Sequence, residues 1–438
     1  MAYDIILGRE EKDKQKFGTQ GTLLLGKHYV TMAQETTLAQ NIYLDLNKPH
    51  VVFVCGKRGS GKSYSLSVIA EGIFTQPREV SQKLSVIMLD TMGIYWTMKY
   101  PNNQDAALLK EWGLKPSEIN VQIYTPSGFF KDYKKKGIPT DFEFSMKPSE
   151  LSPEDWWLAF GLVPNDPLAV FIERTILTLA ESKKDFEIKD ILKDIKEDKK
   201  EDAHVRNAAE NRFIAADKWG VFSKEATSIK ELVKGGQITV LDMSPYAVMP
   251  NGWQIKNLVI GIICRKLFIE RMLVRKDEEF ESIHSAVHYI SEEKDKREMP
   301  IIWLLLDEAH EMLPAEGKTS ATDALITLLR EGRQPGIALV LATQQPGKIH
   351  TDAMTQSDVI LAHRLTARID TDALGNLMQS YLRQGLDKEL SLLPRVSGAA
   401  LAIDDVNERI YPMRVRPKFS WHGGGSPGII EQKKKLFE

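Results

Sequence analysis

The chain reads as an α/β protein on a mostly parallel sheet, with a helical insertion and a small β-rich N-terminal region. Three observations predict this. Short apolar runs recur at 51–55, 84–89, 238–242, 301–306, 337–342, 358–361 and 399–403, most bounded by polar or glycine turns. Helical patterns separate many of these runs, as the crossovers of a parallel sheet require. A glycine-rich turn joins the first run to a helix with Leu66, Ile69 and Ile73 on its apolar face.

Residues 1–48 hold short β-like pieces, Tyr3 to Leu7, Thr22 to Leu25, Lys27 to Thr31 and Ile42 to Leu46, between charged and glycine-containing turns. They are expected to form a partial, barrel-like unit. Residues 49–147 are expected to carry the first part of the core. From 148 to 235 the pattern turns helical, with Leu158, Val170, Ile172, Ile176, Leu177 and Leu179 on one face and Phe186, Ile188, Ile191, Leu192 and Ile195 on another. The Lys/Asp/Glu mixture around them reads as the solvated side of an insertion. The second part of the core spans 236–412, and a helix is expected at about 252–275, where Ile255, Val259, Ile263, Leu267 and Val274 keep helical spacing. Residues 276–299 read as a charged, exposed excursion, and 413–438 as an extended tail, mobile beyond Trp421.

Composition sets the class. Hydrophobic residues at 42% and charged residues at 27% describe a soluble globular protein. The 58 basic and 60 acidic residues leave a net charge of −2, so bulk charge gives no support for a polyanionic partner. Lys131 with Lys134, Lys135 and Lys136, and Lys318, are candidate basic patches that read first as solvated loops. Two cysteines, Cys55 and Cys264, imply a reducing compartment without disulfide or metal site. The first residues, Met1-Ala2-Tyr3-Asp4, do not form a signal peptide, and the apolar stretch 258–274 is broken by Arg265, Lys266, Glu270 and Arg271. A cytoplasmic protein without membrane contact is expected.

The chemistry concentrates in the glycine-rich turn, Gly56-Lys57-Arg58-Gly59-Ser60-Gly61-Lys62-Ser63. Between a strand and a helix, such a loop points backbone N–H groups at one spot and cradles phosphates. Gly56, Arg58, Gly59, Ser60, Gly61, Lys62, Ser63 and Tyr64 are therefore the expected nucleotide contacts, for ATP with Mg²⁺. Lys62 would reach the β and γ phosphates, and the Ser63 hydroxyl would ligate the metal. The apolar run 301–306 ends in Asp307-Glu308-Ala309-His310. Asp307 is placed to hold the Mg²⁺ shell and Glu308 to polarise a water for attack on the γ-phosphate. The run 337–342 ends in Thr343-Gln344-Gln345-Pro346, and an amide at that tip can sense the γ-phosphate. Asp90, closing the run at 84–89, is a candidate neighbour of this site. Arg333 precedes the 337–342 run, at the end opposite the nucleotide. On residues alone it reads as a surface ion-pair residue; the alternative is a neighbouring subunit's site.

The ordered set of these motifs resembles HerA-type ATPases of the HerA/FtsK superfamily. The resemblance rests on residues 56–63, Leu306 to His310, Arg330 to Arg333, Leu341 to Pro346, His363-Arg364-Leu365 with Asp370, and Arg414 to Gly424. It implies a RecA-like P-loop NTPase core and a homohexameric ring that hydrolyses ATP and pumps double-stranded DNA, often beside a nuclease. It also implies Glu308 as catalytic glutamate, Gln344 as γ-phosphate sensor and Arg333 as the arginine finger given to a neighbour, with Arg330 and Arg364 as the other candidates. Two departures stand out. Only residues 1–48 precede the first core strand where the family carries a full β-barrel, and Ile94 stands where the family often has a glutamate. A type IV secretion or conjugation-like motor, and an ATP-gated ring scaffold regulating a partner enzyme, are the alternative readings.

Overall fold

The computed structural model describes residues 4–32, 35–288, 298–375, 386 and 388–425. Its strands are β1 (Ile5–Leu7), β2 (Thr22–Met32), β3 (Glu35–Asp45), β4 (Val51–Cys55), β5 (Leu84–Asp90), β6 (Val121–Pro126) and β7 (Phe142–Phe144). They continue with β8 (Ile238–Asp242), β9 (Ile301–Leu306), β10 (Ile337–Thr343), β11 (Val359–His363), β12 (Ala399–Asp404) and β13 (Arg409–Val415). Among the described residues all of these join one sheet, in the order β1-β3-β2-β13-β12-β11-β4-β10-β9-β5-β8-β6-β7.

From β11 to β7 every pairing is parallel. The reason lies in side-chain chemistry. The central strands are apolar on both faces, and β4, β5, β8 and β10 are buried along their whole length. Alternation then divides each strand between two layers. Val51, Phe53 and Cys55 pack with the helices from 153 to 232 and with the long helix Gly252–His288, while Val52 and Val54 pack under the helix Lys62–Phe74.

The N-terminal strands are continuous with this sheet instead of closing on themselves. β13 pairs antiparallel with β12 on one side and β2 on the other, through Met413 with His28 and Val415 with Gly26. The chain through 415 is thus sheet, where an extended tail was expected from 413. β13 escapes a reading by pattern because it carries Pro412 and two arginines and is only half buried.

Other differences have local causes. The helix Gly252–His288 runs on into the stretch 276–299 expected to be a charged, exposed excursion, of which 289–297 lie outside the described residues; Arg275 pairs there with Glu278 and Glu279 one turn ahead. Of the face expected on the Pro167–Ser182 helix, Ile172, Ile176 and Leu179 are buried, joined by Phe171, whereas Val170 and Leu177 are 52% and 49% exposed. Lys131, Lys134 and Lys135 lie on a helix, Ser127–Lys135, not a loop. The tail expected beyond Trp421 falls from 426 onward outside the described residues.

Candidate active site

Parallel strands bring their C-terminal ends to one edge, and the expected nucleotide residues gather there. The register sets the positions. Thr343 pairs with Cys55, so Gln344 stands level with Gly56, and Leu341 pairs with Leu306, so Ala342 and Thr343 flank Asp307 and Glu308.

The loop 56–63 leaves β4 with its conformation set by glycine. Gly61 caps the helix Lys62–Phe74 at φ 114°, a left-handed conformation costly for other residues. At Gly56 a Cβ would fall 2.6 Å from the Cβ of His363, so the loop can approach β11 only without a side chain there. The Lys57 N–H donates to the Arg364 carbonyl at 3.0 Å, fixing the loop's outer limb. Arg58 and Gly59 face solvent, whereas Lys62 is buried, its ammonium 3.4 Å from the Lys57 carbonyl. Tyr64 turns its hydroxyl away to accept from the Lys418 N–H at 2.6 Å, leaving its backbone N–H, in the first turn of the helix, as the group available to phosphate.

His363 backs the loop from inside. Its Nδ1 lies 3.1 Å from the Ala399 carbonyl and its Nε2 2.9 Å from the Ser65 hydroxyl. A carbonyl only accepts, so Nδ1 carries the proton and Nε2 accepts from Ser65. Burial pushes this imidazole down to about 4, with the Lys62 charge adding to the effect, so it stays neutral behind the phosphate cradle.

The Ser63 hydroxyl donates to Asp307 Oδ2 at 2.5 Å. A second donor, the Tyr95 hydroxyl, reaches the same oxygen at 3.1 Å, and the Glu308 N–H donates to Oδ1 at 2.9 Å. One hydroxyl and one carboxylate suit Mg²⁺, which takes few protein oxygens and fills its shell with phosphate and water. Among the described residues no group of three His, Cys, Asp or Glu side chains is placed to hold a metal ion, so a metal here would be shared with a nucleotide.

Glu308 takes the left-handed conformation, φ 53° and ψ 43°. Its Oε2 is buried without a hydrogen bond, and His310 Nδ1, at 3.6 Å, is too far to donate. His310 instead sits 3.1 Å from the Thr343 hydroxyl. Burial pushes the Glu308 carboxyl up to about 7; the Asp307 charge adds to this and Lys62 opposes it. The Gln344 backbone also hydrogen-bonds this carboxyl, so one oxygen is held and the other is buried and free for a water or a substrate oxygen.

Lys62, Ser63, Asp307, Glu308 and Gln344 therefore share one edge. Arg333 does not. It is exposed, three residues before Gly336, whose carbonyl accepts from Ile302 where β9 and β10 begin. The length of β10, roughly 20 Å, separates it from its own phosphate loop. Arg330 is tied to Asp352 at 2.6 Å, and Arg364 is exposed beside Lys57.

Sequence reasoning missed Tyr95, and reached Asp90 only as a neighbour. Asp90 Oδ1 accepts from the Met92 and Gly93 N–H groups and Oδ2 from that of Tyr95, at 2.7–3.2 Å, which closes the turn presenting Tyr95 to Asp307. Burial pushes Asp90 up to about 7, with Asp242 at the end of β8 adding to it. No spacing rule signals a phenol reaching a strand tip 212 residues away.

Part of the chain aligns at 24% identity over 185 residues with the probable DNA double-strand break repair helicase HerA of Methanocaldococcus jannaschii, covering 39% of this chain and 35% of that protein. It aligns at 22% identity over 220 residues with the DNA double-strand break repair helicase HerA of Pyrococcus furiosus, covering 47% and 39%. The matches thus span little more than a third of the length of those relatives. The solved structure of VirB4 from Thermoanaerobacter pseudethanolicus shares the fold, with a TM-score of 0.52 at 12% identity over 91% of this chain and 97% of that one. The family described as the central domain of the helicase HerA matches residues 25–267, more than half of the chain and including the phosphate loop. With a phosphate loop on β4, an acidic pair at the tip of β9 and a glutamine at the tip of β10 on one edge of a parallel sheet, the chain belongs to the HerA central-domain family of P-loop ATPases.

Proposed function

We propose that this chain hydrolyses ATP and uses it to move double-stranded DNA through a homohexameric ring, working with a nuclease or another DNA-processing protein. The observation that carries the hydrolytic half is the contact of Ser63 with Asp307 beside a Glu308 carboxylate that keeps one buried oxygen without a hydrogen bond. A site that only sensed nucleotide would have no need of that carboxylate.

In this reading the backbone of 56–63 holds the phosphates, and the Lys62 ammonium neutralises charge on the β and γ groups. Ser63 and Asp307 would hold Mg²⁺, which when bound supplies further neutralisation of phosphate charge. Glu308, raised toward neutrality, orients a water and takes up its proton as the water attacks the γ-phosphorus in line with the departing ADP oxygen. Gln344 registers whether the γ-phosphate is present. Arg333 serves the neighbouring subunit's site, which accounts for its distance from its own. The DNA load follows from family membership and from the names of the HerA relatives. The likeness to VirB4 favours a second reading, a secretion or conjugation-type motor. A ring scaffold with slow, DNA-indifferent hydrolysis is a third. Among the described residues no helix is long and apolar enough to cross a membrane.

Steady-state ATP hydrolysis with and without linear duplex DNA, at low and moderate salt, tests the proposal with Lys62→Ala as the blank. Stimulation that fades as salt rises is expected, because contacts to backbone phosphates release counterions. Hydrolysis indifferent to duplex at both salt levels rejects the DNA load.

A further inference from the structure

We propose that Tyr95 is a positioning residue for the metal-holding carboxylate Asp307, and that the C-terminal segment 416–422 holds Tyr95 in place. The inference rests on the ATPase reading above. Tyr95 is 2% exposed, and its hydroxyl donates to the same Asp307 oxygen that receives the Ser63 hydroxyl. With the Glu308 N–H on the other oxygen, the carboxylate is held from both sides before any ligand arrives.

The turn that carries Tyr95 is itself clamped. Asp90 fixes its inner side through the three backbone N–H groups described above. Its outer side, the 3₁₀ turn Tyr95–Lys99, meets the C-terminal segment, where the Thr97 hydroxyl lies 3.2 Å from the Trp421 carbonyl and the Trp421 N–H donates to the Tyr100 carbonyl at 2.7 Å. The Asn102 N–H donates to the Phe419 carbonyl at 2.9 Å.

The same segment grips the phosphate-loop helix. Glu71, wholly buried, accepts from Arg416 Nη1 at 3.1 Å, from the Phe419 and Ser420 N–H groups at 3.0 Å and from the Ser420 hydroxyl at 2.5 Å. The Lys418 N–H caps the hydroxyl of Tyr64, the residue next to Ser63. One short segment thus supports both partners of the Ser63–Asp307 contact, Ser63 through Tyr64 and Asp307 through Tyr95. A tyrosine buried only to fill space would be indifferent to losing its hydroxyl; one that orients a metal carboxylate would not.

The test is an Mg²⁺ titration of the binding of a fluorescent, non-hydrolysable ATP analogue to the full chain. In Tyr95→Phe the Mg²⁺ concentration at half effect is expected to rise roughly tenfold or more, the range seen when a group orienting a metal ligand is lost. Metal-free nucleotide binding and the thermal midpoint should stay near wild type. Thr97→Val, which removes the hydroxyl that lies 2.8 Å from the Ile94 carbonyl and 3.2 Å from the Trp421 carbonyl, should shift the midpoint the same way by a smaller factor. If wild type shows Mg²⁺-dependent binding and Tyr95→Phe shows the same midpoint, Tyr95 does not position the site. A wild-type midpoint in Thr97→Val removes the role of this hydroxyl, and with it the side-chain tie between the turn and the C-terminal segment. Wild-type nucleotide binding indifferent to Mg²⁺, or absent as in Lys62→Ala, overturns the ATPase reading together with this one.

Discussion

At Glu308 a non-glycine residue sits in the left-handed region, which costs on the order of 1–2 kcal/mol. The next residues open a 3₁₀ turn, Ala309–Glu311, so the unusual dihedral falls where the chain leaves the strand. Strain kept at such a position points to a role that an ordinary strand end would not need. Glu308→Gln keeps size and shape while removing the base. It is expected to bind ATP as tightly as wild type and to lose turnover by roughly 10²–10⁴-fold, the usual worth of a positioned general base. Binding and single-turnover hydrolysis, measured side by side, check this. Wild-type turnover in the variant would reduce Glu308 to a strand-end acid.

The N-terminal strands and the core are clasped by side chains as well as by the β2–β13 ladder. His50, just before β4, lies between Asp45 at the end of β3 and Asp358 just before β11, with its two ring nitrogens 3.1 and 3.0 Å from their oxygens. Arg9 closes the other side of Asp45. Burial alone would push His50 down, but hydrogen bonds to Asp358 and Asp45 and their charges carry it above its ordinary value. Asp45 is likewise driven up by burial, and more than compensated by His50 and Arg9, which leave it lowered. The signs follow. A raised histidine contributes stability that is fully present below its unfolded value, about 6.5, and is lost as pH rises through its folded value. The thermal midpoint of wild type over His50→Gln should therefore be widest near pH 6 and narrow as pH rises beyond the folded value. Scanning calorimetry across that range checks it, and a gap independent of pH would show His50 acting by shape alone.

In the proposed reading Arg333 acts between two copies of the chain. It projects from the edge opposite the nucleotide, and among the described residues it has no ion pair of its own, whereas Arg330 is already committed to Asp352. An arginine supplied from a neighbour is worth about 10³–10⁵ in turnover. Arg333→Ala should therefore bind nucleotide and assemble, yet lose hydrolysis by about 10³-fold or more. Mixing it with Glu308→Gln should restore part of the rate, because one kind of interface then unites an intact Glu308 with an intact Arg333. Mixed-subunit ATPase assays read this directly, and full activity of Arg333→Ala alone would dismiss the finger.

The phosphate loop, the acidic strand tip and the glutamine tip are legible in the residues because their geometry is local. A glycine spacing between a strand and a helix, or an acid ending a doubly apolar run, specifies its own backbone surroundings. For the same reason β4, β5, β8, β9, β10, β11 and β12 stand out as apolar runs, whereas the buried β6, with Gln122, Thr125 and Pro126, does not. What was not legible depends on partners distant in the chain. β13 is a strand because β2 and β12 lie on either side of it, although Pro412 and its arginines speak against one. The helix from Gly252 outlasts its apolar stripe because charged neighbours one turn apart sustain it. Tyr95 meets Asp307, and Glu71 meets Arg416 and Ser420, only because the sheet order carries β5 beside β9 and the chain's end back across the first helix. The sequence by itself determined the chemistry available and the edge on which it gathers, since both follow from local pattern. Only the tertiary structure decided what holds that chemistry in register, because the supporting hydrogen bonds join residues hundreds of positions apart.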